Sequence, residues 1–326
     1  MKGTLIISLD FELHWGRFDK YELRDCLPYY QNTRNVIPRI LQLFESQQIS
    51  ATWATVGSLM AASIEEWEAY RPQILPDYLQ KQLCAYSWVK NSRFLAEDCL
   101  FAPDLVAKII AQPNQELGTH TFLHYYTAES GQNKAAFKAD LAAVKHIAHA
   151  KFQQSMRSLV FPRNQYHDEA FEVALEAGFD LMRTNPEDWY WKNPHKVSLL
   201  KKVFRTGDTL VGLGMPTYHQ NLHRSPEGWF KLPASRLLRP YQKGGLFNQM
   251  RVRRIKEELF LAAENNSVYH LWLHPHNFGH YPEENMDCMA EIVEFFCQMR
   301  SAYGMTSHHM ASFAEQVEKV KHPNNF

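Results

Sequence analysis

The stretch Thr4-Leu5-Ile6-Ile7-Ser8-Leu9-Asp10-Phe11-Glu12 decides how this chain is read. An almost continuously apolar run meets an acid at position 10, and a second acid follows two residues later. A strand buried on both faces reads this way, because a parallel sheet wrapped by helices shows neither face to water. In an extended chain residues i and i+2 point to the same side. Asp10 and Glu12 can therefore share one site at a strand end. Taken alone, the pair also reads as an ordinary polar strand terminus.

The same alternation continues along the chain. Strands are expected at 4–9, 51–56, 158–161, 180–183, 209–212 and 268–273, and helices at 34–48, 134–150, 168–177 and 285–300. In the first helix Val36, Ile37, Ile40, Leu41 and Phe44 share a face at spacings of three and four. Alternating β and α predicts a parallel sheet covered by helices, open or closed into a barrel. In both forms reactive side chains gather at the carboxyl ends of the strands. Two stretches break the rhythm and read as insertions: one near 60–115, rich in Trp, Tyr and Pro, and one near 215–256.

Composition excludes several classes. The 326 residues carry 35 Lys+Arg against 35 Asp+Glu, which argues against a general nucleic-acid binder. With 8 Trp, 15 Tyr and 20 Phe, the chain has ample material for a packed core and is not expected to be disordered. No apolar run reaches the length of a membrane span, and the first residues lack the features of a secretory signal. Five scattered cysteines form no C-x-x-C pair and read as reduced thiols, so a cytoplasmic protein is expected. The charge is unevenly spread. Residues 201–256 hold twelve Lys or Arg and only Asp208 and Glu227 as acids. This segment reads as an arm over an anionic substrate, as a patch resting on an anionic membrane, or as a solvated face balanced by the rest of the chain.

Further polar clusters sit at other expected strand ends. His120-Thr121-Phe122-Leu123-His124 carries two imidazoles four apart; on a helix they would share a face and could reach one divalent metal. Solvated or core histidines are the competing reading. Leu271-Trp272-Leu273-His274-Pro275-His276 ends an apolar run in histidine. Phe161-Pro162-Arg163-Asn164-Gln165 and Asn185-Pro186-Glu187-Asp188-Trp189 each follow or end a strand, and each also reads as turn chemistry. Five such clusters in one α/β chain point to a common site.

In this order the clusters resemble the motifs of the polysaccharide deacetylase (NodB-homology) superfamily. Ser8–Glu12 looks like a D-x-E variant of its strand-ending T-F-D-D-G. Ala51–Gly57 resembles A-T-F-F-V-x-G, Glu116–His124 resembles its E-[IL]-G and paired-histidine motif, Asn185–Trp189 resembles D-x-x-D-W, and Leu271–His274 resembles L-x-[LI]-H. The resemblance implies a single catalytic domain over 1–326, built as a distorted (β/α) barrel with the two insertions. It implies a hydrolase that removes N- or O-acetyl groups from a glycan or an activated, nucleotide- or lipid-linked sugar. Carried over residue by residue, Asp10 would be the general base and His274 the general acid. Glu12, His120 and His124 would hold a divalent metal, zinc foremost, with nickel, cobalt or iron as alternatives. Glu12 takes the place of the family's second aspartate, which falls on Phe11. Arg163, Asp188, Trp189 and His276 are expected on the substrate side, with Trp189 lining the acyl pocket. Arg163 is the nearest match to the family's arginine motif. Two other readings stand beside this one: a metal-free cyclic-amide hydrolase on the same scaffold, and a non-catalytic carbohydrate-binding protein.

Overall fold

The computed structural model describes residues 2–186, 188–191, 198–210 and 217–321. Its strands are β1 (Thr4–Phe11), β2 (Ala51–Thr55), β3 (Gln115–Thr119), β4 (Ser158–Val160), β5 (Leu181–Thr184), β6 (Phe230–Pro233), β7 (Arg236–Leu237), β8 (Val268–Leu273) and β9 (Thr306–His308). All pair in parallel in the order β6-β5-β4-β3-β2-β1-β8-β7, with β9 also on β1. Only Ala234 and Ser235 separate β6 from β7. Ala234 donates to the Thr184 carbonyl of β5 and Ser235 to the His270 carbonyl of β8. The segment 230–237 thus acts as one kinked strand that joins the two sheet edges, and the sheet curls into a distorted barrel. This corrects the expected insertion at 215–256, part of which is a barrel stave.

β1 lies at the centre and is buried at every position. Each of the four expected helices is found, and further helices join them. α1 (Leu27–Ser46) begins earlier than expected, with Pro28 in its first turn, where a missing N–H costs nothing. It carries Pro38 within its length and buries Val36, Ile37, Ile40, Leu41 and Phe44. Four short helices fill the connection from β2 to β3: α2 (Ile64–Tyr70), α3 (Ala85–Asn91), α4 (Glu97–Leu100) and α5 (Pro103–Ala111). The Trp15 indole ties this insertion to the body by donating to the Leu100 carbonyl at 2.6 Å. Then come α6 (Lys134–Phe152), α7 (Asp168–Glu176), α8 (Leu199–Gly207), α9 (Leu246–Glu264), α10 (Pro282–Tyr303) and α11 (Met310–Lys321). Among the described residues no helix is long and apolar enough to cross a membrane. The strand expected at 209–212 is not found in its described part: Thr209 and Leu210 lie in a turn, and 211–212 fall outside the described residues.

Several histidines are packed inside as neutral bases. Burial pushes His14 down to about 4 and His270 to about 3. An unfolded imidazole takes a proton near 6.5. Between those values the unfolded chain binds more protons, so stability is full above about pH 6.5 and is lost as pH falls toward 3–4. Asp140 opposes this: burial, only partly offset by two backbone N–H groups, raises it to about 7. One carboxyl does not balance the imidazoles, since His124, His219 and His276 are lowered as well. The thermal midpoint is therefore expected to fall steadily from pH 6.5 to 4. A flat midpoint over that range would contradict this reading of the buried histidines.

Candidate active site

The reactive groups collect at the carboxyl end of β1 and its neighbours. Phe11 points into the core, 1% exposed and edge-on to Trp53. Asp10 and Glu12, on either side of it, reach the opposite side and line one cavity, as the strand alternation requires. Glu12 ends the strand, and its carboxylate folds back over Gly16. A Cβ on Gly16 would stand 2.1 Å from the Glu12 Cδ, so glycine is needed for the carboxylate to lie there.

His120 and His124 do come together, but not on a helix as their spacing had suggested. His120 follows β3, donating its backbone N–H to the Thr55 carbonyl, and the chain then turns through Thr121 (φ 68°) and His124 (φ 53°). A β-branched residue in the left-handed region is strained, and the surroundings hold it there. The Asp140 carboxylate of α6 accepts the N–H groups of Phe122 and Leu123 at 2.7 and 3.2 Å, and the Thr121 hydroxyl accepts that of Tyr125. His120 Nδ1 donates to the Val160 carbonyl at 2.8 Å, which turns its Nε2 toward Glu12.

Glu12 Oε2 stands 3.1 Å from His124 Nε2 and 3.4 Å from His120 Nε2. These three buried groups each offer one donor atom, all within 4.8 Å of one another. Burial alone would raise the Glu12 carboxyl, but the surrounding imidazoles outweigh it and hold it well below the usual range. Burial lowers His124 to about 4. The cluster thus sets an ionised carboxylate oxygen beside two imidazole nitrogens, and Glu12 Oε2 makes no hydrogen bond. That donor set and that orphaned oxygen fit a divalent cation with affinity for nitrogen, of the zinc type.

Asp10 is held from the other side. Arg183, 1% exposed on β5, clamps both its oxygens at 2.6 and 2.7 Å. The same guanidinium donates to Ser8 Oγ and Asn164 Oδ1, each at 3.0 Å, and lies 4.5 Å over the Trp272 ring. Burial raises Asp10, but Arg183 and two imidazoles pull it back below its ordinary value, so it is ionised at neutral pH. His274 Nε2 is 3.6 Å from Asp10 and 3.8 Å from Glu12, and His276 Nδ1 is 3.4 Å from Glu12. Asp10, Glu12, His120, His124, Arg163, His274 and His276 all line one cavity of about 790 Å³.

One expectation is not met. Trp189 and Asp188 are not among the side chains lining this cavity. Trp189 is 48% exposed and packs on Tyr190 and on Phe204 of α8; Glu187, in the same motif, falls outside the described residues. Arg163 reaches the cavity but does not pair with Asp10. It pairs with Asp19, approaches Glu129 at 3.9 Å and stacks on Tyr126 at 4.1 Å. The partner of Asp10 is Arg183, which sequence reasoning missed. Its signal was a cation inside the apolar strand Leu181–Thr184, where an unpaired charge would be costly. Nor does the basic segment form one continuous cationic face. Arg224, Arg236, Arg253, Arg254 and Lys256 form ion pairs with acids, and Lys231 lies over Phe171 and Trp229. Of that segment, Pro240–Lys243 line the cavity.

A curled parallel barrel thus brings a nitrogen-and-carboxylate cluster and an ionised carboxylate to one cavity, and the family whose profile the chain matches is one of hydrolases acting on amide or ester bonds of sugars. The polysaccharide deacetylase profile matches residues 19–182, half of the chain, and the chain belongs to that family. The matched stretch contains His120 and His124; Asp10, Glu12, Arg183 and His274 lie outside it and join them only in three dimensions. Solved structures share the fold. One is a Mycobacterium smegmatis protein assigned as a polysaccharide deacetylase (13% identity, TM-score 0.62, 98% of this chain and 92% of that one). Another is the GH57-type branching enzyme of the archaeon Pyrococcus horikoshii (11%, 0.58, 97% and 71%). A third is Puue allantoinase (10%, 0.58, 99% and 93%). At such identities the likeness is one of fold, and the fold serves several chemistries. Among curated proteins none matches this chain.

Proposed function

We propose that the protein is a divalent-metal-dependent deacetylase that removes an N- or O-acetyl group from a glycan or an activated sugar. The observation that carries this is the convergence of Glu12, His120 and His124 beside an ionised Asp10 and a half-exposed His274. Glu12, His120 and His124 would hold the metal. When bound, such an ion acidifies water and polarises the acyl carbonyl. Asp10 accepts the proton of the attacking water; Arg183 occupies one lone pair on each of its oxygens and keeps it ionised. His274, whose Nε2 stands 3.6 Å from Asp10 and 3.8 Å from Glu12, gives a proton to the departing amine or alkoxide. His276 packs behind His274 and braces Glu12. Arg163 and Trp272 shape the floor on which the sugar rests.

The experiment is acetate release from acetylated sugars before and after chelation. Activity abolished by chelator and restored by zinc, nickel, cobalt or iron is the expected result. Hydrolysis that persists in chelator would overturn metal dependence and favour a metal-free cyclic-amide hydrolase. Glycan binding without any acetate release would favour a carbohydrate-binding protein.

A further inference from the structure

The cavity has an electrostatic asymmetry that deacetylation itself does not use. Among the described residues its acidic lining is Asp10 and Glu12, and both are already engaged. Its cations are Arg17, Lys20, Arg163 and Lys243. Arg163 is balanced by Asp19 and Glu129. Among the described residues Arg17, Lys20 and Lys243 form no ion pair with any acid.

Arg17 is the best built of the three. The turn Leu13–Gly16, which lets Glu12 fold over Gly16, carries Arg17 to the cavity wall. Its guanidinium lies 4.0 Å over the Tyr21 ring and 4.6 Å over that of Tyr29. Aromatic faces hold an arginine in place without neutralising it. Its Nη1 is enclosed and has no acceptor. Lys20 and Lys243 are exposed and reach the same cavity from the 3-10 turn region and from the loop before α9. A cleft lined by one sign of charge concentrates ligands of the other sign.

We infer that the site takes an anionic sugar, and that Arg17, Lys20 and Lys243 form a subsite for its oxyanion, a phosphate or a carboxylate. The inference rests on the deacetylase reading for the word sugar. The subsite is distinct from the metal cluster, and it uses one cation of the basic segment, Lys243, rather than the segment as a whole.

The test is calorimetric binding of glucose, glucose 1-phosphate and glucuronate to the purified full-length protein and to Arg17→Met, Lys243→Met and Arg253→Met. These probes share a ring and differ in charge, and their binding needs no hydrolysis. A protein without deacetylase activity would still report on the subsite. The wild type is expected to prefer at least one anion over glucose by about ten-fold or more. That preference should fall about ten-fold in Arg17→Met and in Lys243→Met, and persist in Arg253→Met, whose arginine is exposed on α9 beside Glu257. The anion that wins identifies phosphate or carboxylate as the natural group. Lys243 is exposed, so its variant reads the subsite even where Arg17→Met folds poorly. Equal binding of all three probes would overturn the inference. So would a preference that survives in both Arg17→Met and Lys243→Met, since the anion would then sit on the metal cluster alone.

Discussion

Asp10→Asn is expected to lower kcat/KM by roughly 10²–10⁴-fold while leaving metal content unchanged. The magnitude is that of a lost general base. The selectivity follows from geometry: Asp10 is clamped by Arg183, whereas the metal-holding atoms belong to Glu12, His120 and His124. An asparagine of the same shape would turn an amide N–H₂ toward one arm of the guanidinium, donor facing donor, so some stability is lost too. The assay therefore pairs acetate-release kinetics with metal analysis and a urea midpoint. Unaltered kcat/KM would remove Asp10 from the chemistry. Loss of metal along with activity would show that Asp10, not Glu12, supplies the ligand.

Arg183→Met is expected to cost about 3–5 kcal/mol of folding stability, the usual result of stripping one partner from a fully buried ion pair. Arg183 and Asp10 are 1% and 2% exposed, so solvent cannot rescue the orphaned carboxylate. The catalytic consequence has a definite sign. Arg183 offsets the burial that would otherwise raise Asp10. Without it the carboxyl stays protonated to higher pH, and the acid limb of the kcat/KM profile moves upward. The double variant Asp10→Asn/Arg183→Met should regain much of the lost stability and none of the activity, because the pair is then absent rather than broken. A single Arg183→Met variant with normal stability and an unmoved acid limb would contradict the clamp.

How much of this was legible in the sequence varies with the physics of each element. β1, β2 and β8 are mostly apolar and β-branched or aromatic, and readable. β3 is not, because Gln115-Glu116-Leu117-Gly118-Thr119 looks polar. Its Glu116 is satisfied internally, accepting from Thr52, Ser158 and the Ala311 N–H. β6 and β7 are short and sit where the chain is most basic, so the stave that closes the barrel was taken for insertion. The histidine pair was visible, yet the conformation that joins it was not. A left-handed Thr121 is held by Asp140, which lies 18 and 17 residues beyond the Phe122 and Leu123 amides it accepts from, and not by local propensity. Arg183 shows the same limit: a cation in a strand announces that a partner exists, but only the curl of the sheet brings β5 across to β1 and names Asp10. Trp189 shows the converse, where a motif match led outward to an exposed ring rather than into the cavity.

The most direct measurement is the metal content of the chain purified with neither added metal nor chelator, beside Glu12→Ala, His120→Ala and Gly16→Ala. The account predicts close to one divalent ion per wild-type chain, lost in the first two variants and strongly reduced in the third. In Gly16→Ala the new methyl occupies the place of the Glu12 carboxylate. A wild type that stays metal-free even after soaking, or metal that survives in Glu12→Ala, would contradict it.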